Sequence, residues 1–291
     1  MIPAPVVPQD AMLQVAPEVQ LRVRRWEPAG DPRGRFLLVH GLASNALLWD
    51  GVGRDLARLG HAAAAVDLRG HGRSSKPDTG YDFETVTKDL LAVIADLGWE
   101  RPVVAGQSWG GNLAVELAWR APETVAGIAA VDGGTIDLQR HYPQWPDCAR
   151  ALQPPKLAGM PAADLERRIR SVHPDWPADG IAGTMGNFRL RDDGTIEPWL
   201  TFDRHMAILR GLWEHHPESR FAEIRVPVLL IPASGEGTGW AAERLAAAHR
   251  AVGALPNGRV VAIAGDHDLH AQYPERIAEL FDGAWTEGFW S

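Results

Sequence analysis

The chain has 291 residues, a formal net charge of −8, 45% hydrophobic residues and 23% charged residues. This composition is ordinary for a globular protein with a large core. The acidic balance argues against a nucleic-acid-binding protein, which would carry a basic surface. A single cysteine, Cys148, leaves no possibility of an intrachain disulfide.

The N-terminal segment MIPAPVVP lacks the basic start and the continuous apolar stretch of a secretory signal. No apolar run approaches the length that a membrane-spanning helix needs. We therefore expect a soluble, cytoplasmic protein that binds a small-molecule substrate but no nucleic acid and no membrane, as a monomer or a homodimer. Residues 1–20 are rich in proline and are predicted to form an extended arm.

After this arm, short apolar strands alternate with segments of helical periodicity. The predicted strands are 21–26, 35–40, 62–67, 102–105 and 125–131, and the predicted helices are 47–59, 83–97 and 109–120. After a break, the alternation resumes with strands 226–231 and 259–264 and helices near 241–252 and 274–281. This pattern predicts βαβ units, and therefore a parallel sheet with helices on both faces.

The break between Gly133 and Glu223 is rich in proline and tryptophan and contains no strand of the buried type. Two helices are predicted in it, at 162–172 and 202–214, with a hairpin that turns at Asp193 and Gly194. The sequence thus predicts an α/β core formed by residues 1–132 and 224–291, with an insertion at residues 133–223.

The segment Gly106-Gln-Ser108-Trp-Gly110-Gly111 follows a predicted strand and opens a predicted helix. A sharp strand-to-helix turn with small residues on either side is the context of a nucleophile elbow, which exposes the serine hydroxyl at the sheet edge. The positive end of the helix dipole lies at the same point. The alternative is an ordinary glycine-rich turn with a capping serine, but this context favours Ser108 as a nucleophile.

A serine nucleophile needs an oxyanion hole and a base. The segment His40-Gly41-Leu42 ends an earlier strand, so the backbone N–H groups of Leu42 and Trp109 are the predicted oxyanion donors. His40 itself is expected to be a structural hydrogen-bonding residue. His267 lies directly after the last predicted strand and is the predicted base, because imidazole titrates near neutral pH. His270, which begins the next helix, is the weaker candidate.

Taken together, these motifs resemble the α/β-hydrolase superfamily over nearly the whole chain, in its serine-nucleophile branch of esterases, proline iminopeptidases and cofactor-free haloperoxidase-like proteins. The matching elements, in chain order, are His40-Gly41, Asp67-Leu-Arg-Gly-His-Gly-Arg-Ser74, Gly106-Gln-Ser-Trp-Gly110 and Gly265-Asp-His267. The resemblance implies a mostly parallel eight-stranded sheet flanked by helices, with a helical cap inserted after strand six.

The same resemblance implies a triad acid but leaves its position open. The family usually places the acid after the seventh strand, where this chain has Glu236 between glycines. Some relatives place it after the sixth strand, where this chain has Asp132. A carboxylate between glycines is poorly held, and the acid has to orient the imidazole. Asp132 is therefore the preferred candidate, with Glu236 as the alternative.

The insertion is expected to form the substrate pocket together with the sheet edge. The candidate pocket residues are His205 and Trp213 in the insertion and His40 and Gly41 in the core. For any single tryptophan, packing within the insertion is the better interpretation. No metal-binding spacing and no phosphate-binding loop are present, so no metal and no cofactor are expected.

The predicted function is hydrolysis of a carboxylic ester of a small apolar or aromatic substrate. Cleavage of an amide, a lactone or a carbon–carbon bond by the same triad is the alternative, and a non-catalytic ligand receptor on this fold is a third reading. Relatives that open epoxides or remove halides carry Asp at the nucleophile position, so Ser108 argues against those activities.

Overall fold

The computed structural model describes residues 6–235 and 239–290. Strands and helices alternate along the core as the sequence predicts. The strands are Gln9–Ala16 (β1), Val19–Trp26 (β2), Arg35–Val39 (β3), Ala62–Val66 (β4), Val103–Gln107 (β5), Gly127–Val131 (β6), Phe188–Leu190 (β7), Ile196–Pro198 (β8), Val228–Ile231 (β9) and Gly258–Val260 (β10).

Eight of these strands form one sheet in the order β1-β2-β4-β3-β5-β6-β9-β10. The pairs β1–β2 and β2–β4 are antiparallel, and every other neighbouring pair is parallel. The mostly parallel eight-stranded sheet is therefore confirmed. The strands β4, β5, β6 and β9 are buried along their whole length, as expected for a sheet covered on both faces.

The predicted extended arm at residues 1–20 is wrong in one respect, because Gln9–Ala16 forms the edge strand β1. Most of its side chains are exposed, so the strand lacks the alternation that would reveal it in the sequence. Backbone pairing with β2 holds it in place, and Asp10 pairs across the ladder with Arg22 and Arg24.

The helices cover both faces of the sheet. They are Asp50–Arg58 (α1), Phe83–Asp96 (α2), Trp109–Arg120 (α3), Trp145–Leu152 (α4), Ala162–Val172 (α5), Ala178–Met185 (α6), Phe202–Glu214 (α7), Gly239–Ala254 (α8), Leu269–Gln272 (α9) and Pro274–Thr286 (α10). None of those in the described ranges combines the length and apolar character needed to cross a membrane.

The strand β3 shows how the two faces are built. Successive side chains point to opposite faces, so Phe36 and Leu38 pack with α1 and α10 on one side. Leu37 and Val39 pack with α2 and α3 on the other side. The sheet is therefore the middle layer between two hydrophobic cores.

The chain from the end of β6 to the start of β9 contains α4–α7 and the hairpin of β7 and β8. The bounds of α5 and α7 agree with the predicted 162–172 and 202–214, and Gly194 sits at the hairpin turn with a φ of 79°. The helices α4 and α6 were not predicted. A proline within the first turn of α4 and two glycines inside α6 hide their helical character.

Candidate active site

Ser108 occupies a strained turn between β5 and α3, with φ 53° and ψ −119°. A non-glycine residue in this region is costly and persists only where the surrounding structure imposes it. Here the Ser108 N–H donates to the carbonyl of Val131 at the end of β6, at 3.0 Å. The sequence predicts a sharp elbow at this serine, and the backbone adopts one.

Close backbone contacts explain the glycines that surround the elbow. A methyl group on Gly106 would stand 2.0 Å from the carbonyl oxygen of Gly110, so β5 and α3 could not pass at this distance. A methyl group on Gly110 would stand 2.4 Å from the carbonyl oxygen of Val39. Glycine is therefore a steric requirement of the turn at both positions.

The loop after β3 brings Leu42 to the wall of the same cavity as Ser108. Neither the Leu42 N–H nor the Trp109 N–H donates to a backbone acceptor among the described residues. The next residue, Ala43, has a φ of 59°, and its N–H donates to Nε2 of His71 at 3.3 Å. The loop is thus held by its neighbours while the two predicted oxyanion donors stay uncommitted.

His40 and His71 form a buried pair of imidazoles behind this loop, with ring centroids 4.7 Å apart. The Nδ1–H of His40 donates to the Gly41 carbonyl at 2.7 Å, and its Nε2 accepts from the Leu68 N–H at 3.0 Å. Burial lowers the pKa of both histidines, so both rings are neutral near pH 7. His40 is therefore a structural residue that shapes the loop.

His267 and Asp132 come together at the carboxyl edge of the sheet. Nδ1 of His267 lies 2.5 Å from Oδ2 of Asp132, which is 1% exposed at its side chain. Both residues line the cavity that Ser108 also lines. Asp132 directly follows β6 and has a φ of 43°, so it joins Ser108 and Ala43 as a strained non-glycine position in the site.

Two further groups hold the Asp132 carboxylate. The Ala233 N–H, just beyond β9, donates to Oδ1 at 2.9 Å. Nη1 of Arg244, in α8, donates to Oδ2 at 2.7 Å, so Arg244 and His267 share one carboxylate oxygen. Three donors thus fix the orientation of this carboxylate.

The charges around His267 act in opposite directions on its pKa. Burial lowers the pKa, but the hydrogen bond to Asp132 and the negative charges of Asp268 and Asp132 outweigh it, so the pKa is raised. The positive charge of Arg244 acts against this rise. The side chain is still 43% exposed, because it faces the cavity.

The cavity has a volume of about 400 Å³. Ser108, His267 and Asp132 are among the residues that line it. Apolar side chains from the loop after β6 and from α4, α7 and α8 form most of the rest of its wall: Ile136, Leu138, Leu152, Leu209, Leu212, Ala247 and Ala248. Charged side chains from the loop after β6, from the segment after α7 and from α8 complete the wall: Asp137, Arg140, Glu218, Glu243, Arg244 and Arg250.

The four candidate pocket residues divide into one that lines this cavity and three that do not. His205, in α7, lines it and is 8% exposed, and burial lowers the pKa of its imidazole. His40 is fully buried behind the loop, and Gly41 packs against the elbow, where a methyl group would stand 2.3 Å from Oε1 of Gln107. Trp213 donates from Nε1 to the Tyr142 carbonyl at 2.7 Å and packs within the insertion.

The two remaining candidates are the weaker candidate base, His270, and the alternative acid, Glu236. His270 is fully buried, with its ring centroid 4.3 Å from that of Trp49, and burial lowers its pKa to about 3. It is therefore neutral and packed away from Ser108. Glu236, the alternative acid, lies outside the described residues.

Sequence reasoning missed two residues that contact the site. Arg244 carried no motif that would single it out, because its partner Asp132 is 112 positions away in the chain. Gln107, inside the elbow motif, is buried and donates from Nε2 to the His267 carbonyl at 3.3 Å. Its position beside Ser108 was the available signal.

The charged motif that begins at Asp67 has a structural role. The buried Asp67 carboxylate accepts hydrogen bonds from the backbone N–H groups of Ala46 and Arg73 and from the Arg22 guanidinium. It thereby ties together the loops that follow β3 and β4. Within residues 6–235 and 239–290, no three His, Cys, Asp or Glu side chains cluster in a way that could hold a metal ion.

Comparisons with known proteins agree with this architecture. A family model described as "alpha/beta hydrolase fold" matches residues 34–170. The crystal structure of E-2-(acetamidomethylene)succinate hydrolase superposes with a TM-score of 0.77 and 22% identity, over 95% of this chain and 98% of that one.

Curated relatives match shorter parts of the chain. An esterase of Mycobacterium tuberculosis is 37% identical over 118 residues, which are 40% of this chain and 38% of the esterase. Epoxide hydrolase A of the same organism is 36% identical over 200 residues, or 62% of this chain and 59% of that protein. The matches span only 29–38% of the length of the first curated relatives. The chain therefore has the α/β-hydrolase fold, and its residues 34–170 match the model of that family.

Proposed function

We propose that this protein is a serine hydrolase that cleaves a carboxylic ester of a small apolar or aromatic substrate through an acyl-enzyme. The observation that carries the proposal is one cavity lined by Ser108 and by His267, whose Nδ1 is hydrogen-bonded to Asp132. This is the arrangement in which an imidazole takes a proton from a serine hydroxyl and later returns it.

In the proposed reaction, Nε2 of His267 takes the Ser108 proton while Oγ forms a bond to the ester carbonyl carbon. The imidazolium gives that proton to the departing alkoxide as the carbon–oxygen bond breaks, which leaves an acyl-enzyme. Water then repeats the cycle and releases the acid. Asp132 holds the Nδ1–H tautomer of His267, so that Nε2 is free to act as the base.

The N–H groups of Leu42 and Trp109 would hold the oxyanion. Leu42 lies in the loop after β3 and Trp109 begins α3, and neither N–H has a backbone acceptor within the described ranges. Donors that need no rearrangement stabilise the transition state more than the ground state, and each contributes about 10²- to 10³-fold in rate. The buried His40 and His71 would keep the Leu42 loop in place.

We further propose that residues 133–223 act as the cap that closes the substrate cavity. Leu152, Leu209 and Leu212 from this insertion contribute to the apolar wall. A cavity of about 400 Å³ with such a wall suits an apolar acyl or alcohol group of modest size. His205 adds a neutral imidazole to the wall.

The names of the relatives point to two chemistries that have to be distinguished. One relative is named an esterase, in line with the proposal, and another is named epoxide hydrolase A. Opening an epoxide through a covalent intermediate uses a carboxylate nucleophile, whose ester is then hydrolysed. The corresponding position here is Ser108, so we place ester cleavage ahead of epoxide opening.

A series of p-nitrophenyl esters of increasing acyl length tests the proposal, with Ser108→Ala as the matched variant. Turnover should fall by about 10⁴- to 10⁶-fold in Ser108→Ala, and the preferred acyl length should report the size of the cavity. Amides, lactones, diketones and an epoxide are assayed in parallel. If only one of these other substrates is turned over, the bond that the enzyme cleaves is the one in that substrate. Tight binding of a substrate with no turnover of any tested compound would favour a ligand receptor.

A further inference from the structure

Arg244 is a side chain of the site to which the proposed reaction gives no role. It projects from α8, a helix that follows the seventh strand of the sheet in chain order, and reaches the acid that follows the sixth. Its side chain is 36% exposed and lines the cavity, whereas its partner Asp132 is 1% exposed. The pair therefore joins a buried carboxylate to a cation at the cavity wall.

The geometry at the shared oxygen is specific. Oδ2 of Asp132 accepts from Arg244 Nη1 at 2.7 Å and lies 2.5 Å from His267 Nδ1. Oδ1 is held separately by the Ala233 N–H at 2.9 Å. A carboxylate bonded only to Ala233 and His267 would keep more torsional freedom than one that Arg244 also holds.

We propose that Arg244 is a positioning residue for the catalytic acid, which fixes the Asp132 carboxylate toward His267 and offsets part of its charge. The inference rests on the proposed function of Ser108, His267 and Asp132. It assigns to α8 a part in the catalytic geometry, at the sheet position where the family usually carries the acid itself.

The charge of Arg244 has a direct consequence for His267. Three charged groups face the imidazole: Asp132 after β6, Asp268 next to His267 in the chain, and Arg244 on α8. The nearby His270 is neutral. Asp132 and Asp268 favour the imidazolium, and Arg244 disfavours it. Arg244 thus limits the rise in the pKa of His267.

Replacing Arg244 by methionine removes the charge and the hydrogen bond but keeps most of the side-chain volume. The acid limb of the kcat/KM profile should move up by about 0.5–1 pH unit, the effect of one charge a few ångströms away in a solvent-exposed site. The value of kcat should fall by about 10- to 100-fold, because the acid is less well aligned. Arg244→Lys, which restores the charge, should return the acid limb toward its original position.

The control is Arg250→Met, on the same helix and cavity wall. Arg250 pairs with Glu218 at 3.9 Å and makes no contact with Asp132, so its loss should leave the acid limb in place, whatever it does to KM. Thermal melts of all three variants check that they fold.

A second readout needs no substrate. NMR titration of the His267 imidazole in the free protein should give a higher pKa in Arg244→Met than in the wild type. An unchanged or lower His267 pKa would overturn the proposal, as would a raised KM with kcat and the acid limb unchanged, which would make Arg244 a substrate-binding residue. If Ser108→Ala kept full activity, the proposed function would be wrong. The NMR titration would still test whether Arg244 lowers the pKa of His267, because it does not depend on activity.

Discussion

Replacing Asp132 by asparagine is a sharp test of how the site is organised, because the change is nearly isosteric. The carboxylate accepts from the Ala233 N–H at Oδ1 and from Arg244 at Oδ2, where His267 Nδ1 also bonds. An amide cannot accept at both atoms. With its NH₂ group at the Oδ2 position, it faces two donors and forces His267 into the Nε2–H tautomer, which cannot take a proton from Ser108.

We expect kcat of Asp132→Asn to fall by about 10³- to 10⁴-fold, equivalent to about 4–5.5 kcal/mol of transition-state stabilisation. The hydrogen bond and charge of Asp132 raise the pKa of His267, so their loss should lower that pKa. The acid limb of the remaining activity should therefore move to lower pH. The assay is p-nitrophenyl ester hydrolysis measured between about pH 5 and pH 9.

Glu236→Gln is the matched control, because it removes the carboxylate of the alternative acid. We expect this variant to keep kcat within about threefold of the wild type, as for a charge outside the catalytic unit. A kcat of Asp132→Asn within about tenfold of the wild type would mean that Asp132 is not the triad acid, and a larger loss in Glu236→Gln would assign that role to Glu236.

Three further variants test other parts of the account. Asp268→Asn removes a negative charge that raises the pKa of His267, so the acid limb of kcat/KM should move to lower pH; a limb that moves up contradicts the charge assignment. Asp89→Asn breaks the buried pair with Arg69, whose nitrogen–oxygen distance is 2.6 Å, and should lower the free energy of unfolding in urea by about 3–5 kcal/mol; a loss below 1 kcal/mol would mean that the pair contributes little. Leu209→Phe should shift the preferred p-nitrophenyl ester to a shorter acyl chain, because Leu209 lines the cavity; an unchanged preference would place the acyl group elsewhere.

Much of the core fold could be predicted because its strands are buried on both faces and therefore appear as short apolar runs. The helix α3 has the predicted bounds, since helical spacing and the proline just beyond it mark both ends. The strand β1 was missed for the opposite reason: it lies at a sheet edge with most side chains exposed, and only backbone pairing reveals it.

The candidate site shows a similar division. Ser108 and His267 stand out because each follows a predicted strand in a glycine-containing turn, which is a local signal. The choice between Asp132 and Glu236 depends on which carboxylate reaches Nδ1 of His267. That distance is set by the tertiary structure, so a local sequence pattern cannot predict it. The contact of Arg244 with Asp132 also depends on tertiary packing, because 112 positions separate the two residues.

The cavity wall was anticipated least well. Trp213 was one of the candidate pocket residues, although packing within the insertion was the better interpretation for any single tryptophan. It does pack within the insertion, and the wall around Ser108 is mainly aliphatic. A count of tryptophans does not show which way each ring points. His205 was chosen from the same insertion and does line the cavity, since it lies on the buried face of α7.

Covalent labelling shows directly whether Ser108 is an activated nucleophile. A fluorophosphonate reacts with an activated serine, forming a phosphorus–oxygen bond as fluoride leaves. We expect one adduct per chain, located by mass spectrometry on the peptide that contains Ser108, with ester hydrolysis lost in proportion and no adduct in Ser108→Ala. An unlabelled Ser108 in a folded protein that hydrolyses esters, or an equal adduct on Ser108→Ala, would contradict the claim that Ser108 is the nucleophile.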